Sequence, residues 1–381
     1  MKKVMLMTNT LYGGGAEKVL QTIVSNLDRS KYDVTLYSMH REELDTSLYC
    51  GALTYRAVFD SYRGNSKLMT VLHSLHAKVR GKLFTMLPAA AFYRLFIRGT
   101  YDVEVAFIEG ESTKIVSGSS NRRSRKLAWV HVDLLANPWT DFLFKGAEDE
   151  AQHYRKFDKV LCVSDGVRET FLAKYGVETE RTATHYNPID REAILRRAEE
   201  TAPLGAHSRL RMITVGRLVP QKGYDRLVRC AAQLRREGFD FELYILGEGE
   251  ERALLEQLVR ENELQDCVFM PGFQRNPYAW MKMSDVMVCS SRAEGFSTVV
   301  TEAVVLGLPV ISTDCAGIRE LFGDANCGVI TENCEEALCA ALREMLVAPE
   351  KLESYAAESR KRSRAFTLEI SMEKLEELLD S

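Results

Sequence analysis

The sequence predicts an α/β protein with two doubly wound parallel sheets, and three observations lead to that prediction. Short apolar runs alternate with stretches of helical spacing along the chain, which is the pattern of repeated βα units. The length of 381 residues exceeds the usual size of a single domain. A polar stretch over 188–209, with Pro203 and Gly205, separates two series of these runs.

The first half of the chain carries the first series of βα units. Its strands are predicted at 3–8, 33–38, 103–108, 126–132 and 159–164. A helix is predicted over 15–28, where five apolar side chains share one face: Val19, Leu20, Ile23, Val24 and Leu27. A second helix is predicted over 165–175.

The second half repeats the pattern and ends in an amphipathic segment. Its strands are predicted at 210–215, 241–246, 267–270, 285–289, 309–312 and 327–330, with helices between them. Residues 371–379 predict a terminal helix. The resulting division is a first domain over 1–188, a linker over 189–208, a second domain over 209–365 and a terminal segment over 366–381.

Charge and composition exclude several classes of protein. A net charge of −4 argues against general nucleic-acid binding. The nine cysteines show no C-x-x-C pair and no zinc spacing, which favours reduced thiols in a cytoplasmic protein. The apolar run Val4–Met7 is too short for a signal peptide, and no run of about 18 apolar residues predicts a membrane span.

The segment Ser290–Ala303 predicts an anion site. Its small residues open a helix, where free backbone N–H groups can hold a phosphate. They lie in the run Gly295, Phe296, Ser297, Thr298 and Val299. Glu294 precedes that run and Glu302 lies inside the helix, so carboxylates are available for sugar hydroxyls. The alternative is an ordinary βα turn with a solvated glutamate.

Two cations follow the strand predicted at 210–215. Arg217 and Lys222 lie where that strand ends, and ligands of open α/β sheets bind beyond the carboxyl ends of strands. Arginine offers a planar fork to a diphosphate, and lysine offers a mobile point charge. The turn that contains Met270 and Gly272 has backbone groups suited to a nucleobase edge, although a plain turn explains it equally well.

A run of glycines follows the first predicted strand. Gly13, Gly14 and Gly15 allow close approach of a ligand to the backbone, and the helix behind them directs its positive end at that ligand. A flexible turn is the alternative. No G-x-G-x-x-G with a suitably spaced acid is present, so a nicotinamide site is not expected.

Together these motifs resemble the family-4 glycosyltransferases, retaining enzymes of the GT-B fold. Glu294 and Glu302 match the family's Glu-x7-Glu motif, and Arg217 and Lys222 match its Gly-Arg…Lys-Gly motif. The triple glycine matches its N-terminal loop. The resemblance covers nearly the whole chain and implies two Rossmann-like domains that face one another across a cleft.

The resemblance also implies roles for the site residues. Arg217 and Lys222 would neutralise the donor's diphosphate, Glu302 would bind the ribose, and Glu294 would bind the transferred sugar. Backbone groups of Gly14, Gly15 and residues 295–299 would add to the donor site. No metal and no cofactor are expected, because the two cations replace a metal and the chain contains no Asp-x-Asp.

His131 lies at the end of the strand predicted at 126–132. A lone histidine on a strand is more often structural, but this one matches the family's histidine near the transferred sugar. The resemblance implies that it contacts the donor sugar or shapes the acceptor site, and we do not assign it as a general base. Asp133 is a weaker candidate for an acceptor contact.

The region 61–98 is basic, amphipathic and free of acidic residues. Its cations include Lys78, Arg80 and Lys82, and Arg122 and Arg123 form a second basic cluster. Such a surface suits an anionic membrane or a lipid diphosphate. The alternative is a pair of core-facing helices with a solvated basic face.

The sequence therefore predicts a glycosyltransferase that uses a nucleotide-sugar donor, UDP-linked by family frequency. Its acceptor would be a glycan or a polyprenyl-diphosphate-linked glycan in surface polysaccharide synthesis, and its place the cytoplasm or the inner face of the cell membrane. The alternatives are a nucleotide-sugar epimerase of the same fold and a non-catalytic subunit that binds sugar nucleotides.

Overall fold

The computed structural model describes residues 1–11, 13–42, 53–59, 84 and 87–381. The chain divides into two compact units. The first unit comprises Met1–Val163, Val167–Tyr186 and Met372–Ser381, and the second comprises Ser164–Gly166 and Asn187–Ser371.

The first unit contains a parallel sheet of seven strands among the described residues, in the order β3-β2-β1-β4-β5-β6-β7. The strands are β1 Lys2–Thr8, β2 Tyr32–His40, β3 Thr54–Phe59, β4 Val103–Ala106, β5 Arg125–Val130, β6 Lys159–Cys162 and β7 Thr182–Thr184. The central strand β1 is buried from Val4 to Thr8, as expected for a strand with both faces covered. The strand order reverses at β1, which is the doubly wound arrangement.

Helices connect these strands. They are α1 Gly15–Asn26, α2 Ala89–Phe96, α3 Glu111–Val116, α4 Ala147–Tyr154 and α5 Asp165–Tyr175. The apolar face predicted for α1 is observed, since Val19, Leu20, Ile23 and Val24 are all buried. The five predicted strands are present, with ends that differ by a few residues.

Strands β3 and β7, the two edge strands of this sheet, were not predicted. Their sequences, TYRAVF and TAT, lack a continuous apolar run because an edge strand is less completely buried than a central one.

The second unit contains a parallel sheet of six strands in the order β10-β9-β8-β11-β12-β13. The strands are β8 Leu210–Val215, β9 Phe241–Leu246, β10 Val268–Gly272, β11 Val286–Cys289, β12 Val310–Thr313 and β13 Gly328–Thr331. All six lie where the sequence predicts them. Two of them, β8 and β9, have the predicted bounds.

The helices of the second unit pack around this sheet. They are α6 Arg191–Ala198, α7 Tyr224–Arg236, α8 Arg252–Glu261, α9 Pro277–Lys282, α10 Thr298–Val305, α11 Ile318–Phe322, α12 Glu335–Val347 and α13 Lys351–Arg362. Helix α6 lies within the segment predicted as a linker, and the Asp190 carboxylate caps it by accepting a 2.8 Å hydrogen bond from Ala193 N.

The last helix, α14 Leu368–Asp380, ends in the first unit. Leu375 and Leu379 are buried there beside Leu6 and Ile23. The Lys2 ammonium donates to the Leu379 carbonyl at 3.0 Å. The first strand and the last helix of the chain therefore share one core.

The described residues contain eight cysteines, and all eight are free thiols. Six of them, Cys162 and Cys289 included, are buried. No helix in the described part of the chain is both long and apolar enough to cross a membrane.

Candidate active site

Glycines bring the loops of the second unit together at the carboxyl edge of its sheet. Gly216 N donates to the Leu246 carbonyl at 3.0 Å, and Gly247 N donates to the Gly272 carbonyl at 3.0 Å. Gly247 has a φ of +146°, and a Cβ atom there would collide with the Gly216 carbonyl. The residues that follow β8, β9 and β10 therefore form one continuous backbone surface.

Lys222 and Glu294 form an ion pair on this edge. Their Nζ and Oε1 atoms lie 2.7 Å apart, and the Ser291 hydroxyl donates to the same Oε1 at 2.6 Å. Glu294 is 8% exposed. Burial acts to lower the pKa of Lys222, but the nearby Glu294 carboxylate outweighs burial and raises it. Lys222 is therefore a fixed positive charge.

Arg226, a buried residue of α7, binds the loop that carries Glu294. Its guanidinium donates to the Ser290 carbonyl at 2.8 Å, to the Ser291 carbonyl at 2.6 Å and to Asn333 Oδ1 at 2.8 Å. A planar fork with several donors can hold three acceptors at once. Arg226 was not predicted, because a single arginine in a helix gives no signal that distinguishes it from a solvated one.

A second contact joins the same loop to α7 from the outside. Arg292 donates to both oxygens of Asp225, each at 2.8 Å. Although burial acts to raise the pKa of Asp225, its bonds to Arg292 and Arg229 hold it well below the usual range. The Ser290 hydroxyl also donates to the Lys222 carbonyl at 2.9 Å. The Lys222 and Glu294 segments are thus joined at several points.

Helix α10 begins at Thr298, four residues after Glu294. Ser297 is its N-cap, but the serine side chain does not cap the helix, which leaves the first-turn N–H groups without that partner. Gly295, Phe296 and Ser297 are buried, and Thr298 and Val299 are half-buried. Within the helix, Glu302 is buried and accepts a 3.3 Å hydrogen bond from the Tyr278 hydroxyl.

The other predicted donor residues of this unit lie at the same edge or near it. Arg217 is exposed, directly after Gly216. The carbonyl groups of Met270 and Gly272, candidates for reading a nucleobase, already accept bonds from Arg252 and Gly247. Met270 also lines a depression of about 520 Å³ on the edge strand, which includes neither Lys222 nor Glu294. The candidate site is therefore assigned from its charged groups and not from this depression.

The predicted run of glycines follows β1 at the carboxyl edge of the first unit. Gly14 is the N-cap of α1 and Gly15 is its first residue, while Gly13 has a φ of +108° that favours glycine. The start of this helix carries no side-chain cap from Gly14, as expected for a surface that a ligand approaches closely.

His131 follows β5 on that edge. Its ring lies 4.9 Å from the ring of Phe107 and 5.6 Å from that of Trp129, centroid to centroid. Its Nε2 atom is buried, without a hydrogen-bond partner among the described residues. Burial lowers the pKa of His131 to about 3, although a hydrogen bond to the Phe107 backbone opposes that shift. The imidazole is therefore neutral at physiological pH.

Glu109 lies next to His131 and was not predicted. Its carboxylate is 3% exposed and accepts two hydrogen bonds, from His131 N at 3.0 Å and from the Trp139 indole at 3.2 Å. Burial raises the pKa of Glu109 to about 7. A single glutamate after an apolar run has no sequence signature, which is why pattern analysis passed over it.

The weaker candidates are placed as follows. Asp133 accepts hydrogen bonds from Leu135 N and Ala136 N, so its carboxylate shapes its own turn. Arg122 and Arg123 are exposed, in the turn before β5. Lys78, Arg80 and Lys82 fall outside the described residues. No group of three metal-ligating side chains occurs in the described part of the chain.

Comparison with protein families identifies both halves of the chain. A model described as glycosyltransferase family 4 matches residues 13–193. A model described as glycosyl transferases group 1 matches residues 197–362. Lys222, Glu294 and Glu302 lie in the second match, and His131 lies in the first.

Two curated relatives span the chain almost completely. One is N-acetylgalactosamine-N,N'-diacetylbacillosaminyl-diphospho-undecaprenol 4-alpha-N-acetylgalactosaminyltransferase of Campylobacter jejuni, which is 28% identical over 96% of each chain. The other is the amylovoran biosynthesis glycosyltransferase AmsD of Erwinia amylovora, which is 22% identical over 100% of this chain and 99% of its own.

Solved structures share the fold at lower identity. HepE of Anabaena, in complex with UDP and glucose, superposes with a TM-score of 0.76 at 19% identity and 100% coverage of both chains. Sucrose-phosphate synthase of Thermosynechococcus elongatus gives 0.73 at 19% identity, with 99% of this chain and 98% of that one covered. Together with the two parallel sheets, these matches show a GT-B fold.

Proposed function

Since the chain belongs to the glycosyltransferases that carry the family 4 and group 1 domains, we propose that it transfers a sugar, with retention of configuration, from a UDP-linked donor to a hydroxyl of a glycan or lipid-linked glycan. The observation that carries the proposal is the Lys222–Glu294 ion pair at the carboxyl edge of the second unit. Its lysine suits a diphosphate, and its carboxylate suits sugar hydroxyls.

The donor's diphosphate would bind to the cations of the second unit. Lys222 holds its charge through Glu294, and the exposed Arg217 adds a planar fork. The N–H groups at the start of α10 would bind further phosphate oxygens. These groups would stabilise the negative charge that develops on the departing diphosphate, so the positive charge needed for transfer comes from the protein.

The two glutamates would bind the rest of the donor. Glu294 would accept hydrogen bonds from the transferred sugar and hold it against the diphosphate site. Glu302 would bind the ribose, and the Tyr278 hydroxyl already orients its carboxylate. The uridine is favoured because HepE, a structural neighbour, has been solved with UDP.

The chemistry requires no protein base in this proposal. The acceptor oxygen attacks the anomeric carbon from the side of the departing diphosphate, whose C–O bond breaks as the new C–O bond forms. The acceptor proton passes to the leaving phosphate oxygen. His131 is neutral because of its burial, so it would hydrogen-bond a sugar without supplying charge.

The acceptor class comes from the relatives. One acts on a diphospho-undecaprenol-linked sugar by its name, and another serves amylovoran biosynthesis. We therefore propose an acceptor in surface polysaccharide or lipid-linked glycan synthesis. The exposed Arg122 and Arg123 suit an anionic membrane surface, which favours a peripheral position at the cytoplasmic face.

Thermal unfolding with UDP, GDP, ADP and CMP, each with and without EDTA, tests the donor site. We expect UDP alone to raise the unfolding midpoint and EDTA to leave that rise unchanged. A ligand at a hundredfold excess over its Kd stabilises by about 2.7 kcal/mol, enough for a clear shift. Indifference to all four nucleotides at millimolar concentration would contradict the proposal.

A transfer assay then tests catalysis. UDP-sugars would be offered with a polyprenyl-diphosphate-linked sugar acceptor, and the anomeric configuration of the product would be read by NMR. Formation of the product with the donor's configuration supports a retaining transferase. An inverted product, or hydrolysis without transfer, would contradict it.

A further inference from the structure

Glu109 is an acceptor for two donors that lie eight residues apart in the chain. Its Oε2 accepts from the backbone N–H of His131, and its Oε1 accepts from the indole N–H of Trp139. These donors mark the two ends of the segment 131–139, called here the His131 loop. One buried carboxylate therefore fixes both ends of the loop that begins with His131.

The turn after Glu109 packs closely against the same region. Gly110 has a φ of +85°, and a Cβ atom there would lie 3.0 Å from Leu143 Cδ1 and 3.1 Å from Trp139 Cη2. Lys114, one helical turn further on, donates to the Leu143 carbonyl at 3.0 Å. The segment that carries Glu109 is thus firmly placed.

The chemistry of this contact depends on two acceptor oxygens. An ionised carboxylate offers two, whereas an amide or a protonated carboxyl offers one acceptor and presents a donor in place of the other. If the donor of such a group faced the N–H of Trp139 or His131, two donors would meet in a buried site without an acceptor. This costs more free energy than one missing hydrogen bond. The ionised form is therefore the one that fits both ends of the loop.

We propose that Glu109 is the positioning residue of the His131 loop, and that its two bonds hold His131 in place for sugar transfer. The second part rests on the proposed function. The residue does not touch the reacting atoms in this proposal. It acts through the backbone of His131, whose ring packs against those of Phe107 and Trp129.

Hydrogen–deuterium exchange of the full chain tests the positioning itself. In Glu109→Gln, we expect peptides covering 131–139 to exchange about tenfold faster than in the wild type, because local opening no longer breaks two charged bonds. The matched control is Glu104→Gln. Glu104 is also buried, lies on β4 and accepts from the Tyr93 hydroxyl at 3.0 Å, away from the His131 loop.

A double-mutant cycle with Trp139→Phe tests the two-acceptor argument. Phenylalanine removes the indole donor, so a glutamine at 109 can serve His131 with its carbonyl while its amide faces no donor. We expect Glu109→Gln to accelerate exchange less in the Trp139→Phe background than in the wild type. Equal acceleration in both backgrounds would overturn the two-acceptor argument.

Transfer kinetics test whether the position of His131 matters for sugar transfer. We expect Glu109→Gln to lower kcat by about 10- to 100-fold, the usual cost of a small misplacement. UDP should still stabilise the variant as it does the wild type, since the proposed nucleotide contacts lie in the second unit. Trp139→Phe should return part of the lost kcat to the glutamine variant, which a general loss of stability would not do.

The pH profile gives a further readout. Burial raises the pKa of Glu109 to about 7, and the bonds from His131 and Trp139 oppose that rise. Glu150 of α4 adds to it, and Tyr154 of α4 stays neutral. The wild-type kcat should therefore increase as the pH rises through 7, and this step should be absent in Glu109→Gln.

The outcomes separate this inference from the proposed function. Exchange in Glu109→Gln equal to that in Glu104→Gln would overturn the positioning role. Faster exchange with an unchanged kcat would overturn its importance for transfer. A wild-type chain without transferase activity would count against the proposed function, and the exchange comparison would still decide whether Glu109 fixes the loop.

Discussion

At the carboxyl edge of the second unit, the Lys222 ammonium is paired with a carboxylate, whereas at the carboxyl edge of the first unit His131 and Glu109 lie beside uncharged groups. Lys222 contacts the Glu294 carboxylate at 2.7 Å. His131 and Glu109 instead meet through a backbone N–H. The pKa of Lys222 is raised, while burial lowers that of His131 to about 3 and raises that of Glu109 to about 7.

The charge state of each edge decides which ligand groups it can bind. A pair such as Lys222–Glu294 keeps its charges under burial, because each ion offsets the desolvation of the other. Its lysine can then attract an anion. A histidine buried without a counterion stays neutral and offers hydrogen bonds alone. The second edge therefore offers a positive charge and His131 offers an uncharged ring, as the proposed binding of a diphosphate and of sugar hydroxyls requires.

Lys222→Ala removes the positive charge of the second edge. We expect kcat to fall about 100- to 1,000-fold, the usual cost of removing one group that stabilises developing charge. The control is Lys282→Ala, which removes an exposed lysine paired with Glu199 in the same unit. Steady-state transfer assays on both variants would decide, and a rate above half of the wild type in Lys222→Ala would contradict the assigned role.

Arg226→Gln tests whether the loop that carries Glu294 depends on the buried Arg226 guanidinium. Loss of the fork leaves carbonyls such as Ser290 O without their donor, so we expect the free energy of unfolding to fall by about 2–3 kcal/mol. Arg229→Gln is the matched control, because Arg229 lies one turn along α7 and its side chain is 43% exposed. Chemical denaturation would show similar losses in both variants if Arg226 were dispensable.

The pH dependence of the stability of His131→Gln tests whether the His131 ring is uncharged in the folded protein. Between pH 6.5 and pH 3, the unfolded chain binds a proton at His131 and the folded chain does not. His131 therefore lowers the free energy of unfolding of the wild type on acidification, by about 1.4 kcal/mol per pH unit. The glutamine variant lacks that loss. Its stability relative to the wild type should therefore improve by about 2 kcal/mol from pH 6.5 to pH 5.

Denaturation curves of both chains across that pH range provide the measurement. Glu109 is present in both chains, so its own titration cancels in the difference. A stability difference that does not vary with pH would mean that His131 titrates normally in the folded protein.

The smallest effect is expected for Arg343→Gln. Arg343 pairs with Glu237 through two contacts of 2.7 Å, but about a third of each side chain is exposed. Exposed pairs contribute little because water screens them. We expect an unchanged transfer rate and a smaller shift of the unfolding midpoint than in Arg226→Gln. A shift as large as that of Arg226→Gln would show that burial does not determine how much each arginine contributes to stability.

The sheets could be predicted from sequence where burial is complete. The strands of the second unit are mostly apolar, since both faces of a parallel sheet are covered, and Arg211 and Glu242 are their charged exceptions. The edge strands β3 and β7 were not predicted, because an edge position tolerates polar residues such as Arg56 and Thr184.

The candidate site was predicted in part. Lys222, Glu294 and Glu302 were found because they fall at fixed spacings in motifs at strand ends. Arg226, Asp225 and Glu109 were not, because their importance comes from contacts between segments distant in the chain. Single charged residues in a helix or after a strand carry no periodic signal, so their partners become visible only in the fold.

The position of α14 bears on how the chain folds as it is synthesised. Leu375 and Leu379 complete the apolar surface around Leu6, but they leave the ribosome only after the whole second unit has done so. The nascent first unit therefore exposes part of its core while the residues between Tyr186 and Met372 are synthesised. At about 5–20 residues per second, this segment of roughly half the chain keeps that surface open for roughly 10–40 seconds. During that interval, a chaperone that binds apolar surfaces has a natural place to act on this protein.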